Sequence, residues 1–333
     1  MKTIVLNKPG ELRQAETDAP HDVPMGFALV RVNRVGVCGT DWHAYRGDQP
    51  FFSYPRILGH ELAVVVERVN DPGGNLKTGD RCAVEPYLNC GRCVACRAGK
   101  PNCCVNLKVM GVHVDGGMRE WLLAPTAKLH RSEKLSLDEL ALVEPLSIGC
   151  HAVDRAGIVA GESVLVIGAG PIGLSVIPFA TAAGARVIVM DISASRLEFC
   201  RKKMGVKTTL DAGDGNAAAK LDELPSCIID ATGNPRSMAR CFDLAAHGGR
   251  IVFVGLFQGD LSFNDPNFHR RELTLMATRN SRPADFRRII AMAERNEIDT
   301  KPWITHRIGV DRLIEEFPKW AADAGVLKAI IEF

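Results

Sequence analysis

Apolar positions along the chain follow two regimes. Residues 27–35 and 62–69 are rich in alternating β-branched positions and read as strands. Asp71-Pro72-Gly73-Gly74 and Thr78-Gly79-Asp80 are turn clusters between further strands. This first third predicts a β-rich, barrel-like region. From about residue 147 the rhythm changes to strands alternating with helices. Residues 164–167, 187–190, 227–230 and 251–254 are mostly continuous apolar runs, which suit strands buried on both faces of a parallel sheet. Helical patterns lie between them, for example at 195–204 and 236–246. The last stretch returns to mixed helix and strand and ends in residues 326–333. No internal repeat or low-complexity tract is visible.

Residues 163–185 carry no charge and are numerous enough to cross a bilayer. Four glycines with Pro171 and Pro178 break that stretch, and it reads better as strand, glycine turn and helix start. No membrane span is expected. The first twenty residues hold no apolar core of a secretory signal. With 333 residues, 46% hydrophobic and 24% charged, the chain has the composition of a two-domain globular protein. Its net charge of +2 gives nucleic acid no electrostatic footprint.

Cysteine usage narrows the chemistry. Eleven cysteines are too sparse for a disulfide scaffold, yet Cys90, Cys93, Cys96, Cys103 and Cys104 crowd into one short stretch. In a chain without a signal peptide this implies metal binding in a reducing, cytoplasmic compartment. Cys90, Cys93, Cys96 and Cys104 follow the spacing C-x2-C-x2-C-x7-C, and four thiolates fill every position on a structural zinc ion. Iron–sulfur clusters use similar gaps, and Cys103 is an alternative fourth ligand, although the seven-residue gap favours Cys104.

A second set of ligand types is scattered. Cys38, His60 and Glu144 together would hold a metal with one position open, as in catalytic zinc sites, and Glu61 would bind directly or exchange with water. Each alone is as readily a core cysteine or a turn beside a solvated acid. Gly168-Ala169-Gly170-Pro171-Ile172-Gly173 follows a strand and opens a helix, and Asp191 stands 18 residues past Gly173. That is the context a dinucleotide fingerprint requires. Asp191 would take the ribose hydroxyls and repel a 2′-phosphate, favouring NAD over NADP, although Arg196 is placed where an arginine would accept that phosphate.

Cys38-Gly39-Thr40-Asp41-Trp42-His43, Pro55, Gly59-His60-Glu61, the four-cysteine lobe, Val143-Glu144-Pro145 and the glycine turn together resemble the zinc-dependent medium-chain alcohol dehydrogenases. The resemblance runs over nearly the whole chain. It implies an α/β protein with a GroES-like catalytic domain (1–147 and 281–333) and a Rossmann doubly wound parallel sheet binding NAD (148–280). It also implies one catalytic and one structural zinc, and a homo-oligomer, dimer or tetramer. Cys38, His60 and Glu144 match the catalytic ligands, with Glu61 the exchangeable acid. Asp41 matches the carboxylate that orients the zinc-bound histidine, and Thr40 and His43 match the proton relay. Glutamate as third ligand points to the polyol, sugar-acid and threonine dehydrogenase branch.

The expected reaction is hydride transfer from a secondary alcohol of a polyol or sugar acid to NAD. Arg279, Asn280, Arg282 and His113 are the candidate substrate contacts, an arginine being suited to a carboxylate. The alternatives are an L-threonine 3-dehydrogenase-like enzyme and a non-catalytic zinc and nucleotide sensor.

Overall fold

A computed structural model describes residues 1–49 and 52–333. The chain divides into two compact units, Met1–Glu144 with Arg282–Phe333, and Pro145–Ser281. The sequence reading sets its boundaries at 147/148 and 280/281.

The first unit is built on a seven-stranded sheet. Its long strand Phe27–Val37 serves three partners: Glu61–Asn70, Trp121–Pro125 and Lys328–Glu332, all antiparallel. The early part of the strand pairs with Trp121–Pro125 and its end with Lys328–Glu332. Register shifts against Glu61–Asn70 fall between Leu29 and Val30 and between Val32 and Arg34. Such irregularities increase local twist and help a sheet curve around its core. Ile4, Leu6, Val30, Val35, Leu62, Val64, Met118 and Phe317 are among the side chains enclosed there. The short antiparallel pair Tyr87–Leu88 with Lys108–Val109 brackets the cysteine-rich loop.

The second unit is a six-stranded parallel sheet. Its spatial order is Thr208–Asp211, Arg186–Asp191, Ser163–Ile167, Cys227–Asp230, Arg250–Phe253, Thr274–Ala277. The order is that of a doubly wound nucleotide-binding sheet, with its switch point beside Ser163–Ile167. All five residues of that strand are buried, as its unbroken apolar run requires. The helix after the glycine turn, Pro171–Ala182, continues through Pro178. The next two helices are Ala194–Met204 and Pro235–Leu244, the latter ending two residues short of the 246 expected from sequence. Among the described residues no helix is long and apolar enough to cross a membrane.

Candidate metal centre and dinucleotide site

Three strand ends meet in the first unit. Cys38 follows Val37 at the end of the long strand and caps the helix Gly39–Arg46. Glu61 opens its strand directly opposite Gly36. Lys328 opens another, one residue before Ala329, which lies opposite Val37. Register alone therefore brings Cys38, Glu61 and Lys328 to one place, and His60 comes with Glu61. Donor atoms of Cys38, His60 and Glu61 all lie within 4.8 Å of one another. Glu144 is held close by through Tyr87, whose hydroxyl donates to Glu144 Oε1.

Glu61 occupies a niche that only glycine permits. A Cβ on Gly36 would sit 2.2 Å from Glu61 Oε2. Lys328 Nζ donates to both Glu61 oxygens at 2.6 and 2.7 Å and to the Val37 carbonyl at 3.2 Å. Glu61 and Lys328 are 0% and 2% exposed, so neither charge has water as an alternative partner. Burial pushes the Glu144 carboxyl up to about 7; His60 opposes this and Glu61 reinforces it. Burial disfavours a charged His60, but Asp41 and Cys38 outweigh it and raise its pKa well above the ordinary value. Asp41 faces His60 without bonding it: Oδ1 is 3.8 Å from Nδ1, while Oδ2 accepts from the Cys38 amide at 2.9 Å. Among the described residues, Asp41 Oδ1 and His60 Nδ1 have no hydrogen-bond partner. A soft thiolate, an imidazole and two carboxylates crowded out of water are a donor set that fits zinc.

The cysteine lobe fits a cation on the same grounds. Sulfurs of Cys90, Cys93, Cys96 and Cys104 all lie within 4.8 Å of one another. Backbone amides of Cys96 and Val105 pull the Cys93 thiol down to about 6. Cys104 is pushed up to about 11, because burial and the neighbouring Cys90 and Cys96 outweigh the Cys90 amide. One thiol ionises readily and another resists, the behaviour of a cluster whose full ionisation calls for a bound positive charge.

Thr40 and His43 stand three residues apart on the helix Gly39–Arg46, hence on one face. Thr40 is half-buried and His43 exposed, with its Nδ1 2.9 Å from Asp48 Oδ1. His113 closes a tight turn: its Nδ1 accepts from the Val109 amide at 3.2 Å, which assigns the ring proton to Nε2. That loop lies hard against the backbone preceding His60, since a Cβ on Gly111 or Gly116 would meet Gly59 at 2.9 or 2.2 Å. Arg279 is exposed, and Asn280 beside it adopts a left-handed conformation (φ 50°). Arg282 caps the helix Pro283–Glu294, its amide donating to Asp285 at 2.7 Å and its guanidinium at 3.4 Å.

In the second unit a cleft of about 630 Å³ is lined by Gly168, Gly170, Asp191, Ile192, Arg196 and Arg236 among others. A Cβ on Gly173 would lie 1.7 Å from the Gly168 carbonyl, so the turn and helix approach closely only with glycine there. Gly170 is the cap, and Pro171 and Ile172 form the first turn of the helix, where unpaired amides favour an anion. Asp191 ends its strand with one oxygen on the Ala169 amide (2.5 Å) and the other on the Ser193 amide (2.7 Å). Each carboxylate oxygen has a second acceptor direction for a ribose hydroxyl. Arg196 lies over the turn: a Cβ on Gly170 would be 3.9 Å from its Nη1.

The family model for the alcohol dehydrogenase GroES-like domain matches residues 25–134, and that for the zinc-binding dehydrogenase matches 171–295. This chain belongs to the zinc-type alcohol dehydrogenase family. It is 40% identical to the L-galactonate-5-dehydrogenase of Escherichia coli K12, over 100% of this chain and 99% of that one. A crystal structure of an alcohol dehydrogenase from E. coli CFT073 complexed with NADH superposes with a TM-score of 0.93 at 29% identity. It covers 100% of this chain and 99% of that one. A Sinorhizobium meliloti zinc-binding dehydrogenase bound to NADP does so at 0.91 and 28%, with the same coverage. The chain is thus a zinc-containing dehydrogenase acting on a small-molecule alcohol, and the GroES-like and Rossmann architecture expected from sequence is the one observed. A non-catalytic sensor is set aside.

Two residues of this dehydrogenase escaped the sequence reading. Lys328 had one signal, a lysine at the head of the short apolar run 329–331 in the terminal strand. Tyr87 had less, its place just before the first cysteine of the lobe.

Proposed function

We propose that the protein oxidises a secondary hydroxyl of a sugar acid, with NAD as hydride acceptor and two zinc ions, one catalytic and one structural. The convergence of Cys38, His60 and Glu61 on one point carries the reading. Residues 1–147 and 281–333 form the catalytic domain in this reading, and 148–280 the NAD-binding domain. Cys38, His60 and Glu144 hold the catalytic metal, with Glu61 the exchangeable carboxylate. Cys90, Cys93, Cys96 and Cys104 hold the structural one. Bound zinc supplies Lewis acidity toward a hydroxyl oxygen, and bound NAD supplies the hydride acceptor.

The chain's own groups handle the proton and the orientation. Thr40 accepts the proton of the substrate hydroxyl and passes its own toward His43. The exposed imidazole, oriented by its contact with Asp48, releases it to water. Asp41 fixes the Cys38 turn through the Cys38 amide and faces His60, so one carboxylate steadies two ligands. Gly168, Gly170, Pro171, Ile172 and Gly173 present the pyrophosphate site. Asp191 takes the ribose hydroxyls, and Arg196 covers the adenine side beside the exposed Ile192. Charge at Asp191 favours NAD over NADP.

A carboxylate on the substrate is supported by the L-galactonate-oxidising relative. Arg279 is its bidentate partner in this reading, with Asn280 and His113 binding hydroxyls. Arg282 is the second candidate, with its guanidinium beside Asp285. A homo-oligomer is supported by the strand Thr274–Ala277, which among the described residues lies at the sheet's edge with Leu275 39% exposed. A reducing, cytoplasmic setting is supported by the gathering of Cys90, Cys93, Cys96 and Cys104 as a set of metal-ligand thiols.

The test is NAD and NADP reduction by aldonates, neutral polyols and threonine, with metal content counted. Oxidation of an aldonate with NAD, abolished in Cys38→Ser and weakened mainly in KM by Arg279→Ala, is the expected result. Turnover of threonine in preference to any aldonate would replace the sugar-acid assignment with the amino-alcohol one.

A further inference from the structure

A buried ion cluster borders the cysteine lobe. Glu85 continues the antiparallel ladder of Arg81–Val84 with Leu129–Arg131, its amide donating to the Lys128 carbonyl at 2.8 Å. Lys128 and His130 stand two residues apart, so both side chains fall on one side of their segment. Lys128 Nζ bonds one Glu85 oxygen, and His130 Nε2 lies 3.0 Å from the other. Phe286 stacks on the His130 ring with centroids 4.8 Å apart. Glu85, Lys128 and His130 are all buried, which leaves the ammonium little water to turn to. It makes a further bond to Asn89 Oδ1 at 3.2 Å.

Asn89 immediately precedes the first cysteine of the lobe, and its amide has two ends. A lysine ammonium only donates, so the carbonyl end must face Lys128. The amino end then faces the lobe, where Nδ2 donates to Cys96 Sγ at 3.7 Å. Backbone amides reach the other three sulfurs: Arg92 and Cys93 at Cys90, Cys96 and Val105 at Cys93, Cys90 and Asn106 at Cys104. The Cys93 thiol also lies 3.5 Å from Cys96 Sγ, but that proton leaves when both sulfurs ligate a cation. The Asn89 N–H stays. A hydrogen bond to a ligating sulfur spreads its charge and fixes its direction. An ammonium on the far end of the amide strengthens that donor.

We propose that Asn89 is a positioning residue of the lobe metal: its side-chain N–H orients the Cys96 sulfur, and Lys128, anchored by Glu85, fixes the amide in that sense. This rests on the reading that Cys90, Cys93, Cys96 and Cys104 hold a metal, and the experiment separates the two. The holoenzyme is challenged with a chromogenic chelator and release of each metal equivalent is followed in time. The lobe equivalent is the one missing from Cys104→Ser, and the equivalent at Cys38 and His60 is the internal control. Cobalt in place of the native metal reports on the lobe sulfurs through their charge-transfer band.

Asn89→Asp keeps the size and an oxygen for Lys128 but turns a second oxygen toward the sulfur. It should release the lobe equivalent about 10–100-fold faster, the range typical of lost outer-shell partners, with the other equivalent unchanged. Its cobalt charge-transfer band should move to longer wavelength, because a sulfur without the N–H holds its electrons less tightly. Asn89→Leu, which lacks both ends of the amide, should show the same selective release. Lys128→Met/Glu85→Gln removes the ion pair without stranding a charge and should speed release less than either Asn89 variant. Native release and an unshifted band in Asn89→Asp would overturn the donor role, even with Asn89→Leu impaired. A native rate in Lys128→Met/Glu85→Gln would overturn the part given to the lysine. A Cys104→Ser protein that keeps every metal equivalent of the native one would overturn the metal reading beneath, and this inference with it.

Discussion

Replacing Lys328 with methionine isolates a buried charge. The side chain's three hydrogen bonds end on Glu61 Oε1, Glu61 Oε2 and the Val37 carbonyl. Methionine keeps most of the volume but leaves the Glu61 carboxylate without its cation at 0% exposure. Removing one partner of such a pair costs about 3–5 kcal/mol, because the survivor stays desolvated and unpaired. All four tryptophans, Trp42, Trp121, Trp303 and Trp320, lie in the first unit, so their fluorescence reports its unfolding without contribution from the second. With a urea dependence of about 2–3 kcal/mol per molar, the midpoint of Lys328→Met should fall by about 1–2.5 M. The double variant Lys328→Met/Glu61→Gln should recover a large part of that loss, since no charge is then stranded. A Lys328→Met midpoint within about 0.3 M of the native one would refute the reasoning, as would losses that simply add in the double variant.

Two further outcomes follow from features of each unit. Cys104→Ser should lose one metal equivalent by elemental analysis after gel filtration, leaving the equivalent held by Cys38 and His60 in place; loss of both would tie the two sites together. In the second unit Glu162 accepts from Arg250 at 2.5 and 2.6 Å and from Ser226 at 2.8 Å. Burial alone would raise the Glu162 pKa, but those bonds hold it below the usual value. A lowered folded pKa means stability present above the unfolded value and lost as pH falls through the folded one. Glu162→Gln should therefore be destabilised by circular dichroism at neutral pH, with its gap to the native protein closing below about pH 4. A gap that persists in acid would assign the effect to packing.

What the sequence made legible was local or periodic. The glycine turn spans six residues and the cysteine lobe fifteen, so spacing alone carries their chemistry. The parallel strands were visible as apolar runs because both their faces are buried. Cys38, His60 and Glu144 sit far apart in sequence, and only resemblance to a family joined them. Lys328 stood outside both kinds of signal: its partner Glu61 is 267 residues away, and strand register is what unites them. The Asp41–His60 relation was expected as an orienting contact; at 3.8 Å the two groups face each other without a hydrogen bond. Glu61, rather than Glu144, groups most closely with Cys38 and His60, because the Gly36 niche and Lys328 draw it there.

That long separation has a temporal side. At about 5–20 residues per second, a ribosome that has made Glu61 needs roughly 13–53 s more to reach Lys328. Through that interval the second unit, contiguous in sequence, can finish folding, while the first unit's Glu61 still lacks the ammonium that pairs with it in the folded protein. Nascent chains stalled before residue 328 would hold Cys38, His60 and Glu61 with an unneutralised carboxylate, a form with more charge to offer an arriving cation than the finished protein has. The order in which the polypeptide is made thus brings Glu61 its lysine last.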